Sequence, residues 1–348
     1  MSAGIHGNLF RWFSSYVTNR SQAVVTCGFL SDWSPIPSGV PQGSLLGPLL
    51  FILFIQDIDT CFHHSMILLF ADDMKILKSI HSSADSQELQ SDLLRLDRYC
   101  DANKLDLNVG KCKVISFTRK PIHRMFTYYV KGLQLSRTNE IRDVGIILDS
   151  KLLFQSHIDH IVAMASKALG FLIRQGRTFQ NVKTLKILYC TLVRSHLEYA
   201  SQVWNPKYKI YSSRIESIQR RFLRYISRKT RQNYLSCEDK CKRHHFLPLS
   251  ERRAITDVSY LFSIVTSRID CPSLLNLCKL QVTKSSRERR LFLVPFSKTN
   301  YQQNSFISRT CRYVNDYCND LDPFILSPTA TRRILTKRFA SGSHQYIY

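Results

Sequence analysis

The chain has 348 residues, of which 44% are hydrophobic, so its composition excludes a disordered chain and supports a sizeable core in two or so domains. Its formal net charge of +23 predicts a polyanionic partner. The charge is unevenly placed: residues 1–120 carry 11 basic and 11 acidic side chains, whereas residues 121–348 carry 38 and 15.

The first 55 residues predict a helix, a strand, a loop and a second helix. Apolar residues at spacings of three and four predict a helix over residues 8–17. A strand is expected over residues 22–29, and a proline-containing loop over residues 31–38. The apolar run over residues 45–55 predicts a buried helix with Pro48 in its first turn, where a missing N–H is tolerated.

A glycine-rich turn precedes this second helix. Gly39, Gly43 and Gly47 bracket the turn, and glycines let the phosphates and sugar of a substrate approach the backbone closely. The alternative is an ordinary helix-opening turn without a ligand.

Residues 66–77 consist of two short apolar runs joined by Asp72 and Asp73. Each run has the length of a buried strand, and Asp tolerates turn geometry, so the pattern predicts a β-hairpin. Two carboxylates at a rigid hairpin tip provide a site for a divalent metal ion. Ordinary turn chemistry is the alternative.

A long helix is predicted over residues 85–105, where it would cover the sheet of the hairpin. Asp85 or Ser86 is the expected N-cap. The acidic residues along this helix are expected to form a solvated face, because a second metal site would need carboxylates that converge. These acidic residues are Glu88, Asp92, Asp97 and Asp101.

A turn and three strands follow. Residues 107–113 predict a turn that contains Lys111 and Lys113, and residues 114–118 predict a strand. Residues 126–135 and 140–148 each predict a further strand.

From residue 154 onward the pattern becomes helical. Helices are predicted over residues 157–174, 182–199 and 213–230. The residues expected to face the core are Ile158, Ile161, Ala165, Ala168 and Leu172 in the first helix, Leu185, Leu188, Leu192 and Tyr199 in the second, and Ile215, Ile218, Phe222 and Ile226 in the third.

The third of these helices also carries a basic stripe. Arg214, Arg221, Arg224, Arg228 and Arg231 recur at near-helical spacing. At 1.5 Å per residue the stripe is about 25 Å long, which suits several phosphates of a duplex. A solvated helix face is the alternative.

The following segment contains Cys237, Cys241, His244 and His245 as potential zinc ligands. Adjacent histidines do not easily reach one tetrahedral ion, and the long Cys-to-His gap of a zinc finger is missing, so plain thiols and surface histidines are favoured. The tail from residue 247 is basic and irregular in pattern, with breaks near residues 270–272 and 322–323.

The cysteine pattern and the N-terminus argue against secretion. Eleven cysteines are scattered without regular spacing, which favours reduced thiols over a disulfide framework. Residues 1–11 lack the apolar core of a signal peptide. The most hydrophobic run, residues 45–55, is far shorter than the roughly 20 residues of a membrane span. We therefore expect an intracellular protein, in the nucleus or the cytoplasm, with no membrane partner.

Two motifs at a suitable separation point to a family. Residues 38–51 (SGVPQGSLLGPLLF), followed by residues 70–73 (FADD), resemble motifs B and C of the reverse transcriptases of non-LTR retrotransposons, in the jockey and CR1-like group. Residues 107–113 resemble motif D, and residues 145–149 (GIILD) resemble the primer-grip region. The resemblance continues to the C-terminus.

This resemblance implies roles for individual residues. Asp72 and Asp73 would be the catalytic metal ligands, and Lys111 would protonate the departing pyrophosphate, with Lys113 as the other candidate. The glycine turn would lie beneath the incoming nucleotide, with Gln42 as its polar contact. The implied nucleotide-binding residues are Gly39, Pro41, Gln42, Gly43, Phe70 and Ala71.

The resemblance also implies a fold and partners. The fold is α+β: a partial right-hand polymerase palm over residues 1–154, with an antiparallel sheet and helices, a helical basic thumb over residues 155–235, and a basic, irregular C-terminal region over residues 236–348. The implied partners are an RNA template, a DNA primer and dNTPs. The implied cofactor is Mg²⁺ or Mn²⁺, because hard cations suit carboxylate and phosphate oxygens.

One expected residue has no counterpart. The family uses a further aspartate from motif A, and before residue 38 the only acidic residue is Asp32, in a loop that does not fit. The expected function is therefore a truncated RNA-directed DNA polymerase that is inactive or weakly active. The alternatives are a non-catalytic nucleic-acid-binding remnant of a transposable element and a translated pseudogene whose palm folds poorly.

Overall fold

A computed structural model describes residues 4–120, 125–231, 235–281, 290–294 and 296–341. The chain divides into two compact units, residues 1–139 and residues 140–348. Helices and strands are both present, so the predicted mixture of helix and strand is confirmed. Among these described residues no helix is long and apolar enough to cross a membrane. The division into three domains at residues 154 and 235 stays a prediction.

The first unit is built from three described helices and ten short strands. The helices are α1 (Gly7–Val17), α2 (Gly47–Phe54) and α3 (Ser83–Ala102). The strands are β1 (Arg20–Gln22), β2 (Val25–Thr26), β3 (Phe29–Leu30), β4 (Ser34–Ile36), β5 (Met66–Phe70), β6 (Asp73–Leu77), β7 (Lys113–Val114), β8 (Tyr129–Val130), β9 (Leu133–Gln134) and β10 (Ser136–Arg137). Every sheet described here has two strands, and all of the pairs are antiparallel except β7 with β10.

The segment after α1 differs from its prediction. Residues 22–29 do not form one strand, because β2 and β3 make a hairpin whose turn residues, Cys27 and Gly28, have φ values of 48° and 83°. A two-residue turn with positive φ at both positions matches the twist of paired strands. Part of the predicted loop over residues 31–38 forms β4, a sheet edge that tolerates Pro35.

Helix α2 begins at Gly47 with Pro48 in its first turn, as predicted, but it is not buried. Leu45, just before the helix, is 98% exposed, and Leu49 and Ile52 are about half exposed. The predicted burial was wrong because a run that is apolar all round needs neighbours on several sides, and the described residues of this unit do not supply them.

Helix α3 starts earlier than predicted. The N-cap is Ser82, whose hydroxyl accepts the N–H of Asp85 at 3.3 Å, while the Asp85 carboxylate accepts the N–H of Ser82 at 2.6 Å. This reciprocal pair is a capping box, in which Asp85 is the inner member and not the cap itself. The pKa of Asp85 is lowered by the backbone N–H of His81, which donates to the same carboxylate at 2.7 Å, and by the hydrogen bonds from Ser82.

Two predicted strands are in fact hairpins or parts of hairpins. Residues 126–135 contain β8 and β9, joined by Lys131 and Gly132, which both have positive φ. Residues 140–148 lie in a second hairpin, in which Val144 and Gly145 form the turn. Both predictions missed an X-Gly turn in the middle of an apolar run.

The second unit is mainly helical. Its helices are α4 (Gln155–Gln175), α5 (Val182–Tyr189), α6 (Ser195–Glu198), α7 (Ser201–Trp204), α8 (Lys209–Lys229), α9 (Cys237–Arg243), α10 (Leu249–Val265), α11 (Pro272–Leu275), α12 (Asn300–Gln303), α13 (Phe306–Tyr317) and α14 (Pro328–Ala340). A π-helical stretch, Cys190–Arg194, connects α5 to α6. The strands are β11 (Glu140–Asp143), β12 (Ile146–Asp149), β13 (Lys279–Leu280) and β14 (Phe292–Leu293), which pair antiparallel as β11 with β12 and β13 with β14.

Helices α4 and α8 pack together over a fully buried core. All four residues predicted for the core face of α8 are buried, and so are four of the five predicted for α4, with Ala168 only partly buried. The middle helix buries Leu185, Tyr189, Val193 and Leu197. The prediction that Leu192 and Tyr199 face the core is wrong, because both are exposed. A π-helical stretch has more residues per turn than an α-helix, so the buried positions are no longer those of the α-helical spacing.

The C-terminal region is not irregular, which corrects the prediction. Helices α10, α13 and α14 enclose a second core of buried side chains that includes Phe262, Val314 and Leu335. The two predicted breaks have different outcomes: Pro272 opens α11, whereas Pro323 lies in a turn between α13 and α14.

Candidate functional site

The predicted acidic hairpin is present. Strands β5 and β6 pair in a register that sets Phe70 opposite Asp73, so Ala71 and Asp72 form a two-residue turn. Ala71 has a φ of 52°, the left-handed region that glycine occupies more readily. Asp72 is therefore at the tip, and Asp73 is the first residue of the returning strand; both are exposed.

The two faces of this hairpin differ. Ile67, Met74 and Ile76 pack towards α3 and the short 3₁₀ turn Ile58–Cys61, so α3 covers one face as predicted. Because side chains alternate along a strand, Asp73 lies on the other face, together with Phe70. Phe70 is 62% exposed. The carboxylate of Asp73 thus belongs to a face that the described part of this unit leaves open.

Asp92 anchors the hairpin, a role that the sequence did not suggest. This α3 residue was predicted to be solvated, but it is completely buried and accepts hydrogen bonds from the backbone N–H groups of His63 and His64, at 3.1 Å each, and from Arg95. Burial opposes its ionisation, but these hydrogen bonds outweigh burial and lower the pKa of Asp92. The carboxylate therefore fixes the backbone that leads directly into β5.

The glycine turn has a defined geometry. The N–H of Ser44 donates to the carbonyl of Pro41 at 3.3 Å, so Gln42 and Gly43 occupy the centre of a turn and are exposed. Gly43 has a φ of 78°, which this position requires. Arg20 also contacts this turn, which the sequence did not indicate: its guanidinium donates to the carbonyl of Gly39 at 2.5 Å.

Gly47 adds a steric reason for glycine at the start of α2. A Cβ there would lie 3.1 Å from the Ser44 hydroxyl oxygen, which accepts the N–H of Gly47 at 3.0 Å. The glycine thus lets the turn fold back onto the first turn of the helix.

The two candidate lysines lie in different elements. Lys111 is exposed in a turn closed by its own N–H, which donates to the carbonyl of Asn108 at 3.0 Å. Lys113 begins β7, which pairs in parallel with β10. The predicted strand over residues 114–118 is reduced to the end of this short pair.

The described structure does not join these parts into one pocket. Within the described residues no hydrogen bond or ion pair links the glycine turn, the hairpin tip and Lys111. Nor do three or more His, Cys, Asp or Glu side chains converge anywhere in that part of the chain to hold a metal ion. Asp72 and Asp73 accordingly supply two carboxylates without a described third.

The four potential zinc ligands do not form a cluster either, within the described residues. Cys237 is exposed at the start of α9, whereas His244 is buried just after its end. Burial is the main cause that raises the pKa of the Cys241 thiol to about 11 and lowers the pKa of His244. The raised pKa of the Cys241 thiol fits the plain thiols that the sequence favoured, whereas the burial of His244 corrects the expectation of a surface histidine there.

The hairpin of β11 and β12 contains the segment that resembles the primer grip. It is fixed to the helical unit at two points: the N–H of Ile147 donates to Nδ1 of His157 at 3.3 Å, and the Tyr199 hydroxyl donates to the carbonyl of Val144 at 3.0 Å. Burial lowers the pKa of His157 to about 4, so its ring is neutral and Nδ1 is free to accept.

The basic stripe lies largely where it was predicted. Arg221, Arg224 and Arg228 are exposed on α8, opposite its buried face, and no hydrogen bond or ion pair involves their side chains among the described residues. Arg214 is instead paired with Asp159 of α4, at 2.5 Å. Arg231 follows the end of the helix with a φ of 55°, so it leaves the helical line.

Comparison with known sequences shows which proteins this chain is similar to. The family described as reverse transcriptase (RNA-dependent DNA polymerase) matches residues 5–173, which include the glycine turn, the acidic hairpin and most of α4. Residues 5–173, just under half of the chain, are thus similar to the reverse transcriptase family. No solved structure matches the chain.

The particular relatives are mobile-element proteins. The chain is 29% identical over 230 residues to the RNA-directed DNA polymerase from mobile element jockey of Drosophila funebris, a match that covers 63% of this chain and 25% of the relative. It is 25% identical over 232 residues to the probable RNA-directed DNA polymerase from transposon X-element of Drosophila melanogaster, with the same two coverages. The chain thus spans about a quarter of the length of these relatives, and the predicted resemblance to the jockey group is confirmed.

Proposed function

We propose that this chain is part of an RNA-directed DNA polymerase of a non-LTR retrotransposon, which extends a DNA primer on an RNA template with dNTPs. The observation that carries the proposal is the Asp72–Asp73 pair at an exposed hairpin tip, inside the segment that matches the reverse transcriptase family. In this proposal residues 1–154 belong to the palm, residues 155–235 to the thumb and residues 236–348 to a basic C-terminal region.

In this proposal different residues bind the metal ion and the nucleotide. Asp72 and Asp73 would hold Mg²⁺ or Mn²⁺, for which carboxylate oxygens at an exposed turn are suitable ligands. The bound ion would neutralise charge on the triphosphate. Gly39, Pro41, Gln42 and Gly43 would support the nucleotide from below, beside Phe70 and Ala71.

Lys111 would serve as the general acid. A lysine ammonium donates a proton to a leaving pyrophosphate only if it reaches that oxygen directly or through one water. Its exposed position at a turn leaves it free to reorient on binding. Lys113 remains the second candidate for this role.

The same geometry supports low activity for this chain alone. A two-metal site needs carboxylates on both sides of the ions, and the described residues supply two adjacent ones. Loss of one bridging carboxylate costs on the order of 10³-fold in rate. We therefore propose that the 348-residue chain is inactive or weakly active.

Two measurements on the full chain test these statements. In primer extension with Mg²⁺ or Mn²⁺ we expect little synthesis, and robust Asp72-dependent synthesis would refute low activity. Mn²⁺ binding, followed by electron paramagnetic resonance, should be weak and lost in Asp72→Asn and Asp73→Asn. Asp101→Asn, an exposed change on α3, is the matched control. Equal Mn²⁺ binding by all three variants and the unaltered chain would refute the metal ligands.

A second candidate function is nucleic-acid binding without catalysis, and the unpaired cations of α8 favour it. Each cation that neutralises a phosphate makes binding more dependent on salt. The triple change Arg221→Gln, Arg224→Gln and Arg228→Gln should weaken RNA binding and reduce the salt slope by about two to three. An unchanged slope would show that this side of α8 is only a solvated face.

A further inference from the structure

Helix α14 has one buried and one open face. Thr331, Leu335 and Phe339 recur every four residues and are buried in the core that α14 shares with α10 and α13. The opposite side is exposed and contains Thr329, Arg332, Arg333, Thr336 and Lys337. We call these five residues the α14 face.

The α14 face is basic and has no internal neutralisation. The helix contains four cations and no acidic residue. Within the described residues no hydrogen bond or ion pair involves the side chains of Arg332, Arg333 or Lys337. The fourth cation behaves differently: Arg338 forms a two-point contact with Asp320, one arm of which is 2.9 Å long.

Other arginines of this unit are used to hold helices together. Arg252 on α10 pairs with Glu198 on α6, with its Nε and Nη2 each donating to one carboxylate oxygen. Arg309 on α13 pairs with the buried Asp257 on α10 at 3.0 Å. In both of these pairs the arginine that bridges two helices contacts a carboxylate, whereas the three cations of the α14 face have no hydrogen bond or ion pair of their side chains among the described residues.

The spacing of these cations suits a phosphate chain. From Arg332 to Lys337 the helix rises about 7.5 Å, and phosphates of one strand follow each other at about 3.4 Å along a duplex axis. Long side chains at this spacing reach two or three successive phosphates. The threonine hydroxyls of the same face add neutral donors for phosphate oxygens.

A cavity extends this face at its N-terminal end. Its volume is about 180 Å³, and its lining includes Tyr260, Ser263, Thr329 and Arg332. Pockets for free small ligands measure roughly 300–1,000 Å³. The cavity is therefore too small for a separate cofactor, but it suits one group of a polymer that lies across the helix.

We infer that the α14 face is a second contact surface for nucleic acid, which binds the sugar–phosphate backbone through Arg332, Arg333 and Lys337. The surface lies outside residues 5–173, the segment that matches the reverse transcriptase family, and is separate in sequence from the stripe on α8. The surface recognises the charge and spacing of phosphates, and its described residues include no group assigned to base-specific recognition. It rests on the proposal that the chain binds nucleic acid, but not on catalysis.

The test is a salt titration of a fluorescent single-stranded RNA with the full chain. The variant Arg332→Gln, Arg333→Gln and Lys337→Gln should bind roughly tenfold or more weakly near 0.1 M salt, with a salt slope smaller by about two. The control triple Arg98→Gln, Lys104→Gln and Lys120→Gln removes the same charge from exposed positions of the first unit. Arg332→Lys with Arg333→Lys should keep the salt slope, because charge is retained.

The outcomes separate this inference from the other proposals. If the α14 variant and the control triple give the same slope, the inference is overturned, even if the α8 variant weakens binding. A smaller slope in the α14 variant alone supports the inference and refutes the role of α8. Far-ultraviolet circular dichroism of each variant verifies that the helices are intact, and primer extension is not needed for either conclusion.

Discussion

The two units of this protein bury their apolar side chains to very different degrees. In the second unit Phe222, Trp204 and Leu261 have at most 1% of their surface exposed. In the first unit Trp12 and Phe10 are more than half exposed on α1. Amphipathic spacing forms a helix in both units. The apolar face of a helix becomes buried only where other helices or strands pack against it.

The units also differ in how they use charge. The first unit buries Asp92 to hold the entry of a hairpin, whereas the second uses arginine–carboxylate pairs to join helices and leaves other cations on α8 and α14 open. The acidic tip and the basic faces thus lie in different units. Residues proposed for metal and nucleotide chemistry come from the first unit, and those proposed for the nucleic-acid backbone come from the second.

The largest effect should follow from a cavity in the core between α4 and α8. Phe222 stacks on Tyr189 at 4.2 Å and is completely buried, so Phe222→Ala should lower the free energy of unfolding by about 3–5 kcal/mol. Phe10→Ala on the exposed side of α1 should change it by about 0.5 kcal/mol or less. Urea unfolding followed by circular dichroism measures both changes. Equal losses would show that α1 is packed in solution and would break the comparison.

Asp92 should be the most sensitive polar residue of the first unit. Asp92→Ala removes the acceptor for two backbone N–H groups and Arg95, and should cost about 3 kcal/mol. Hydrogen exchange of β5 and β6 should become faster, because the backbone that enters the hairpin is released. Asp101→Ala on the exposed side of the same helix is the control. Unaltered exchange in the Asp92 variant would contradict its anchoring role.

Glu251 makes the second unit sensitive to pH. Burial first, and then the nearby carboxylate of Glu216, raise the pKa of Glu251 from 4.5 to about 7. Because the folded state binds this proton more tightly than the unfolded state, stability from this group falls as pH rises from about 4.5 to 7. A pKa unit corresponds to about 1.4 kcal/mol, which partial exposure reduces, so Glu251→Gln should gain about 1–2 kcal/mol at pH 8.

Melting curves at pH 5 and pH 8 measure this effect. The melting temperature of Glu251→Gln should exceed that of the unaltered chain by a few degrees at pH 8 and by less at pH 5. Glu238→Gln, an exposed change on α9, should show no such difference. A gain that is equal at both pH values would mean that ionisation of Glu251 is not its cause.

The smallest effect concerns the hairpin tip. Ala71 has positive φ, which glycine adopts at lower cost, whereas glycine also raises the entropy of the unfolded chain. The net effect of Ala71→Gly should be a stabilisation of the β5–β6 hairpin by about 0.5 kcal/mol. Ala84→Gly in the first turn of α3 should instead destabilise, because glycine has the lower helix propensity. Thermal unfolding measures both, and a loss of stability in Ala71→Gly would contradict the turn geometry.

Local patterns predicted the hairpin of residues 66–77 and the core face of α8 because the determinants of both are short in range. Strand length and turn residues define the hairpin, and spacings of three and four define the helix face. The same reasoning failed for residues 182–199, where a π-helical stretch changes the spacing, and for residues 140–148, where Val144 and Gly145 turn the chain inside an apolar run.

The candidate site could be predicted only in part. The sequence placed Asp72 and Asp73 at a turn, but it assigned Asp92 to solvent, because a pattern of acidic residues does not show which one finds buried N–H donors. It likewise missed Arg20, whose contact with the glycine turn joins residues 19 positions apart. Lys111 and the hairpin tip remain separate in the described structure, so the general-acid assignment stays a proposal.

Residue type and order along the chain were enough to predict the resemblance to reverse transcriptases, the acidic turn and the segregation of charge. The tertiary structure decided that the C-terminal region is a packed helical core, and which cations are paired and which are open on α8 and α14. Burial and pairing depend on residues that are distant in sequence, and no local pattern contains that information.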